Sequence, residues 1–294
     1  MFFAQLVMNG LVVGSIYALV ALGFVVIYKA SSILNFAQGE FLMLGAYVCL
    51  STMAAAHVPF VAAFLLTLGF SVALGLFLER AVLRPMIGEP VISVIMVTLG
   101  LSAILKAIVQ GVWGTDTKPF PQVFPSEPVH FGPFPVSQGY LWSVACVSVL
   151  LILFTIFFKY TREGIAMRAV AFSQQTAVSM GISVKRIFAL SWSIAAVVSA
   201  VGGILLGAVR GGVDGSLAFF GLKVVPVAIL GGLDSVLGSI LGGLIIGVLE
   251  NLSGGYLDPL FGGGVKEVAP FVALVLILMV KPYGLFGKVK IERV

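Results

Sequence analysis

The sequence predicts an all-α polytopic membrane protein with about eight membrane-spanning helices and, in addition, broken or re-entrant segments. Of its 294 residues, 60% are hydrophobic and only 10% are charged. A soluble domain usually carries about 25% charged residues, so this chain has too little charge to coat a surface that faces water. Its apolar segments approach the roughly 20 residues that a helix needs to cross about 30 Å of hydrocarbon. These segments are 5–28, 39–56, 59–83, 91–112, 139–158, 187–208, 217–233, 236–252 and 265–281.

The distribution of Lys and Arg predicts an N-terminus outside the cell and a C-terminus in the cytoplasm, because cytoplasmic loops hold an excess of basic residues. Lys106 lies within a span, near its outer end. The basic residues form no patch interleaved with aromatic residues, which excludes a nucleic-acid partner. With the N-terminus outside, the cytoplasmic basic residues are Lys29, Arg80, Arg84, Lys159, Arg162, Arg168, Lys185, Arg186, Lys281, Lys288, Lys290 and Arg293, and the external ones are Lys118, Arg210, Lys223 and Lys266.

We predict a single transmembrane domain, 1–294, with two long polar connections. The connection 113–138 contains six prolines and one lysine, a composition that prevents a helix and predicts an extracytoplasmic loop. This loop is either a plain connector or a docking surface. The connection 159–186 is predicted to be cytoplasmic, because it carries basic residues at both ends.

A polar cluster interrupts the first apolar hairpin at Asn35, Gln38 and Glu40. Burying an unpaired amide costs about 1–3 kcal/mol, so these groups should bond to the broken backbone or face water. We hypothesise that Asn35 and Gln38 brace a kink beside a passage through the membrane. Glu40 is predicted to lie at a helix N-terminus, where negative charge is favourable.

A second break is predicted at Pro226, Gly231 and Gly232, which divide a later apolar hairpin into two short pieces. Non-helical backbone at membrane depth is tolerated where it is buried in protein or lines a wet cavity. Broken helices of this kind often mark a transport path. The alternative is that both breaks are tight turns at the membrane surface.

Glycine is abundant in the chain, with 35 residues, and several glycines lie four residues apart. Small residues at this spacing let helices approach closely in lipid, so we predict a tightly packed bundle. The pairs are Gly203 with Gly207, Gly238 with Gly242, and Gly243 with Gly247.

The sequence lacks the motifs of common catalytic sites. It contains no GxxxxGK[ST] phosphate loop, GxSxG elbow or HExxH pair, so we expect no ATP hydrolysis by this chain alone. The two histidines, His57 and His130, fall in different loops, and we expect no metal and no cofactor. An ion-driven carrier is a rival class, but it would place coupling charges in mid-helix, where this sequence is nearly free of charge.

A short amphipathic helix is predicted within the cytoplasmic connection. On a helical wheel Ala169, Phe172, Thr176 and Met180 fall within one narrow arc, and Gly181 supplies the left-handed residue that ends a helix. A short apolar ridge of this kind fits either the groove of a partner protein or the surface of the lipid headgroups.

Four stretches of the sequence resemble the LIV-type branched-chain amino-acid permease family of ABC importers. REGIAMRAVAFSQQTAVSMGISVKRI (162–187) is similar to the cytoplasmic coupling loop of importer permeases, and ALGFVVIYKASSILNFAQGEFLMLGAY (21–47) is similar to the N-terminal hallmark of the family. VPVAILGGLDSVLGSILGGLIIGVLE (225–250) and VKPYGLFG (280–287) resemble the same family in the same order.

This resemblance implies a permease subunit of an ATP-driven, binding-protein-dependent importer in the bacterial inner membrane. The implied protein partners are a second homologous permease subunit, two cytoplasmic ABC ATPases that use the ATP, and an extracytoplasmic solute-binding protein. The chain is also expected to contact membrane lipid. The implied solute is a branched-chain or related hydrophobic amino acid, with urea or short amides as the alternative. An ion-coupled secondary carrier and, third, an intramembrane enzyme are the rival classes.

The resemblance also implies which residues of the cytoplasmic connection contact the ATPases. One departure stands at Ser173-Gln174-Gln175, where many relatives carry acidic residues. This departure removes the basis for a salt bridge with the ATPase at that point. The implied coupling residues are Phe172, Thr176, Ala177, Met180 and Gly181.

Overall fold

The computed structural model describes residues 2–56, 58–125, 127–131 and 134–287. His57 and the basic residues Lys288, Lys290 and Arg293 lie outside the described residues. The helices are α1 Phe2–Ser31, α2 Gln38–Ala56, α3 Phe60–Leu78, α4 Val91–Trp113, α5 Gln138–Tyr160, α6 Arg162–Phe172, α7 Gln174–Ser179, α8 Val184–Arg210, α9 Leu217–Gly231, α10 Val236–Tyr256, α11 Asp258–Phe261 and α12 Val265–Val280. A π-helical turn, Glu79–Leu83, and a 3-10 turn, Arg84–Met86, extend α3.

Six helices are long and apolar enough to cross a membrane, judged by length and composition over the part of the chain that the structure describes. They are α1, α3 with its extension, α4, α5, α8 and α10. Helices α2, α9 and α12 have 19, 15 and 16 residues. The predicted all-α polytopic architecture is confirmed, and each of the nine predicted apolar segments overlaps one of these nine helices.

Helices α1 and α8 form the centre of the bundle. Every residue of α1 from Gly14 to Ile27 is buried, as expected for a helix that is apolar on all sides and surrounded by other helices. The outer helices α4 and α5 instead expose large apolar side chains such as Ile104 and Ile152. These side chains suit a hydrocarbon environment, because exposing them to lipid carries no hydrophobic penalty.

Glycines let α1 and α10 approach closely. A Cβ atom added at Gly14 would lie 2.6 Å from the carbonyl oxygen of Gly243, and one added at Gly243 would lie 2.6 Å from the backbone nitrogen of Ala18. No side chain fits in such a space, so the predicted role of Gly243 and Gly247 as helix contacts is confirmed. The matching glycines of α1, Gly10 and Gly14, complete this contact.

Two polar regions lie at opposite ends of α5. At one end strand β1 (Lys118–Pro119) pairs antiparallel with β4 (Gly212–Val213), which ties the connection before α5 to the connection after α8. A short hairpin of β2 (Val129–Phe131) and β3 (Phe134–Val136) belongs to the same connection. At the other end α6 and α7 form a projection, residues 161–183, that joins α5 to α8. The 23 residues of α5 separate the two regions by about 34 Å.

Candidate functional site

The first polar break lies between α1 and α2. Helix α1 ends at Ser31, and Ser32 takes a left-handed φ of 58° that turns the chain back. Asn35 is 1% exposed; its Oδ1 accepts a hydrogen bond from the N–H of Ala37 at 3.0 Å, and its Nδ2 donates to Oε1 of Gln38 at 3.1 Å. Asn35 therefore joins the broken backbone to the first residue of α2.

Gln38 connects this break to the centre of the bundle. Its Nε2 donates to Oγ of Ser199 at 2.6 Å and to the carbonyl oxygen of Ala195 at 3.4 Å. Ser199 lies near the middle of α8, so α2 begins deep in the bundle and not at its end. Both amides are paired within the chain, and their role beside a passage stays a prediction.

Glu40 lies in the first turn of α2, where the helix dipole favours its charge. It is largely buried, and Oγ of Ser102 donates to its Oε1 at 2.7 Å. Ser102 is the middle residue of α4, so this carboxylate lies at the level of the middle of a spanning helix. A carboxylate at that depth is costly unless it faces protein or water.

The second break ends α9. Pro226 lies buried inside this helix, which ends at Gly231, and Gly232 adopts a φ of 104° that favours glycine. The C-terminal segment returns to this point, where the N–H of Leu285 donates to the carbonyl oxygen of Leu230 at 2.8 Å. The segment thus satisfies a carbonyl that the end of a helix leaves open. This contact joins two of the stretches that carry the family resemblance.

A charged network lies inside the bundle, where four helices meet. The Nζ of Lys223 on α9 lies 2.8 Å from Oε1 of Glu250 on α10 and 2.7 Å from Oε2 of Glu267 on α12. The hydroxyl of Tyr17 on α1 donates to Oε2 of Glu250 at 2.6 Å. The ammonium group also lies 5.4 Å from the ring centroid of Phe220. We call Tyr17, Lys223 and Glu250 the buried charge network; the side chain of Glu267 is 63% exposed and pairs with Lys223 from the surface.

The interior of the bundle is not free of charge, because the side chains of Lys223 and Glu250 are both buried within the protein. The scarcity of charge at mid-membrane stays a prediction. Lys223 and Glu250 each lie inside an apolar run, and an ionisable residue in such a run is almost always paired. This signal was present in the sequence. The identity of the partners was not, because Tyr17 and Glu250 are separated by 233 positions.

The projection contains two helices where the sequence predicted one. Ser173 has φ −157° and ψ 115°, values that interrupt the helix between Phe172 and Gln174. Its hydroxyl accepts a hydrogen bond from the N–H of Thr176 at 3.2 Å and so caps the start of α7. The predicted continuous arc from Ala169 to Met180 is therefore wrong.

The end of α7 has the predicted geometry. Gly181 adopts a left-handed φ of 79°, and its N–H donates to the carbonyl oxygen of Val178 at 2.9 Å. The N–H of Ile182 donates to the carbonyl oxygen of Ala177 at 2.9 Å. These two bonds form the glycine-dependent cap that stops a helix sharply.

The side chains of the projection divide into exposed and buried sets. Phe172 is 92% exposed and Met180 is 78% exposed, although both are large and apolar. Thr176 and Gly181 are exposed as well. Ala177 is 2% exposed, so its side chain packs α7 against the bundle, and its implied role as a coupling residue stays a prediction.

Basic residues fix the projection to the bundle. The guanidinium of Arg168 donates to the carbonyl oxygens of Phe158 and Lys159, which the end of α5 leaves without helical partners. Arg186 at the start of α8 forms an ion pair with Glu163 of α6. The projection is therefore anchored at both ends, and its apolar side chains are presented outward from a defined position.

Comparison with known proteins agrees with this architecture along the whole chain. Residues 6–281 match the family described as branched-chain amino acid transport system, permease component. The chain is 33% identical to the high-affinity branched-chain amino acid transport system permease protein LivH of Escherichia coli K12, over 100% of this chain and 98% of that protein. Identity to the permease protein BraD of Pseudomonas aeruginosa is 32%, covering 99% and 98%. Identity to a probable LivH of Methanocaldococcus jannaschii is 27%, covering 96% and 92%.

This chain belongs to the branched-chain amino acid transport permease family. The family resemblance drawn from the sequence is confirmed. The chain is therefore a multi-pass membrane permease, and a permease component of a transport system works in a complex with other subunits.

The end of the permease that carries β1 and β4 has its own polar cluster. Asp214 accepts hydrogen bonds from the N–H and the hydroxyl of Ser216, and the hydroxyl of Thr117 lies 3.3 Å from its Oδ2. Burial by itself would raise the pKa of Asp214, but these hydrogen bonds and the nearby Arg210 outweigh it and lower that pKa. Asp214 therefore stays charged at this mouth of the bundle.

Over the residues that the structure describes, no group of three or more His, Cys, Asp or Glu side chains is arranged to hold a metal ion. Glu40 and Glu250 are instead engaged by serine, tyrosine and lysine side chains.

Proposed function

We propose that this permease is the membrane subunit of an ATP-driven, binding-protein-dependent importer for branched-chain or related hydrophobic amino acids in the bacterial inner membrane. The names of the relatives support the solute, since each is a branched-chain amino acid permease. The N-terminus lies outside and the C-terminus in the cytoplasm. This orientation is supported by the distribution of basic residues and by the separation of the two polar regions along α5.

The observation that carries the proposal is the projection. Phe172 and Met180 expose large apolar side chains on a polar, basic connection, where contact with water is unfavourable. A partner groove that covers them removes this apolar surface from water, at about 25 cal/mol per Å². Two ABC ATPases, one for each of two homologous permease subunits, are the proposed occupants. They bind and hydrolyse the ATP, and this chain binds no cofactor.

The two helix breaks flank the proposed path of the solute. Asn35, Gln38 and Glu40 lie at the first break. Pro226, Gly231 and Gly232 form the second. In this proposal the breaks shorten α2 and α9. The non-helical backbone at each break then lies beside the route by which the solute crosses the bundle. An extracytoplasmic binding protein selects the solute and delivers it to the end that carries β1 and β4.

The test reconstitutes the permease with its partner permease, ATPases and binding protein in vesicles, and measures leucine uptake. Uptake should require ATP and should persist without a proton or sodium gradient. Met180→Asp should lower uptake and weaken co-purification of the ATPase, because a charge at the contact must be desolvated. Gln175→Asp is the matched control. It adds the same charge nearby, at a polar, exposed position of α7 where the family resemblance implies an acidic residue, so it should not weaken co-purification.

Uptake that follows an ion gradient and ignores ATP would instead assign the chain to the ion-coupled carriers. Uptake of urea or a short amide in place of leucine would retain the importer and change the solute. Equal loss of ATPase co-purification in Met180→Asp and Gln175→Asp would mean that general charge, and not an apolar contact, holds the partner.

A further inference from the structure

A second cluster of polar and charged groups includes Glu40, on the side of α2 that meets α4 and α9. Ser102 of α4 donates to Oε1 of Glu40, and Lys106, one turn further along α4, lies near enough to act on the charge of this carboxylate. The Nζ of Lys106 lies 5.1 Å from the ring centroid of Phe219 on α9. Three helices thus bring one carboxylate, one ammonium group and one aromatic ring together.

This cluster lies at membrane depth and reaches the surface of the chain. Ser102 is the middle residue of α4, so Glu40 lies at the level of mid-span. Phe219 is 54% exposed, and Lys106 and Ser102 are partly exposed. Ionisable side chains at such depth face a water-filled cavity or another protein surface, and not lipid. A water-filled route or a polar surface of another subunit beside Lys106 and Phe219 meets this requirement.

The buried charge network differs from this cluster in a way that bears on function. There, Lys223 lies between two carboxylates of its own chain, so its charge is fully used in holding helices together. Lys106 instead rests on the face of an aromatic ring, and a cation–π contact at a partly exposed site is weak. An incoming carboxylate can replace that contact at little cost.

We propose that Glu40, Lys106 and Phe219 form a transient site for the transported solute, which recognises a free zwitterionic amino acid with an apolar side chain. Oε2 of Glu40 accepts from the α-ammonium group, while Ser102 keeps Oε1 in place. Lys106 takes the α-carboxylate, and Phe219 with Leu222, one turn later on α9, contacts the apolar side chain. The inference rests on the proposed function and adds to it that the permease, and not only the binding protein, contacts both charges of the solute.

The first test measures leucine uptake and ATP hydrolysis in the reconstituted complex. Lys106→Met should reduce the leucine moved per ATP by about tenfold, because a charge-assisted hydrogen bond is lost. ATP hydrolysis stimulated by the loaded binding protein should stay unchanged, since the projection is intact. Lys106→Arg should keep most of the uptake, and Lys281→Met, at an exposed position just after α12, is the control for loss of one lysine.

The second test needs no transport. In a chain with Cys49→Ser and Cys146→Ser, a hydrophilic thiol reagent should label Leu222→Cys quickly and Ile104→Cys slowly, although both positions are exposed. Ile104 lies on the opposite side of α4 from Ser102 and Lys106, towards lipid. Saturating leucine with the binding protein should slow the labelling of Leu222→Cys.

Normal leucine transport per ATP in Lys106→Met, or labelling of Leu222→Cys as slow as that of Ile104→Cys, would overturn the site. Loss of uptake together with loss of stimulated ATP hydrolysis would also overturn it, since the cluster would then only support the fold. If the unmodified complex moves no leucine, the proposed function fails. The labelling rates of Leu222→Cys and Ile104→Cys then decide by themselves whether this face lines an aqueous route.

Discussion

The buried charge network and the projection each reverse the polarity of their surroundings. In the first, Lys223 and Glu250 place opposite charges among apolar helices. In the second, Phe172 and Met180 place apolar side chains on a polar connection. The network has its partners within the chain, so it is complete in the isolated subunit. Over the residues that the structure describes, Phe172 and Met180 of the projection have no such cover, and under the proposed function a partner protein supplies it.

The difference separates two uses of an unfavourable residue. A charge inside a membrane protein is tolerated when ion pairs and hydrogen bonds surround it, and it then fixes how helices meet. An exposed apolar side chain is tolerated when a partner covers it for part of its working life. Changes in the network should therefore lower the stability of the subunit. Changes in the projection should lower assembly and leave the subunit folded.

The largest effect is expected from Lys223→Met. Removing one partner from a buried ion pair leaves Glu250 without its counter-charge and should lower the free energy of unfolding by about 3–5 kcal/mol. The double variant Lys223→Met with Glu250→Gln should recover much of this loss, because no buried uncompensated charge remains and the side chain of Glu267 is 63% exposed. Thermal unfolding of the purified subunit in detergent measures both, with Lys118→Met as control. A single variant as stable as the unmodified chain would show that the network is not needed for the fold.

A smaller and different effect is expected from Gly181→Val. A β-branched side chain at this left-handed position costs roughly 1–2 kcal/mol locally and should distort the end of α7. The subunit should stay in the membrane with near-normal unfolding, while ATPase co-purification and ATP-driven uptake fall. Gly111→Val is the matched control, because Gly111 has open space around it and an ordinary helical backbone. Equal ATPase binding by both variants would contradict the role of this cap.

The smallest effect is expected from two cysteine substitutions that report on which side of the membrane the projection lies. In a chain without its native cysteines, a membrane-impermeant thiol reagent added to intact cells should label Asp116→Cys and not Gln175→Cys. After the cells are opened, Gln175→Cys should react as well, because this position is exposed on α7. Labelling of Gln175→Cys in intact cells would reverse the proposed orientation and place the projection outside.

Several elements followed from local sequence signals. The apolar segments predicted the spanning helices, because about 20 apolar residues suffice to cross hydrocarbon whatever they pack against. Gly181 predicted the end of α7, since the left-handed conformation depends on one residue. A local signal was also missed. Ser173 is a helix N-cap whose hydroxyl accepts from the N–H of Thr176, and it divides the predicted single helix into α6 and α7.

The sequence by itself determined the class of the protein, its family and the positions of its breaks, because composition, caps and motif order act over short distances. Only the tertiary structure decided that Tyr17 meets Glu250, that Ala177 faces the bundle, and that Ser102 of α4 meets Glu40. The physical reason is that residues far apart in the chain meet through helix packing. That packing depends on how glycine contacts such as Gly14 with Gly243 set the distance and crossing of whole helices.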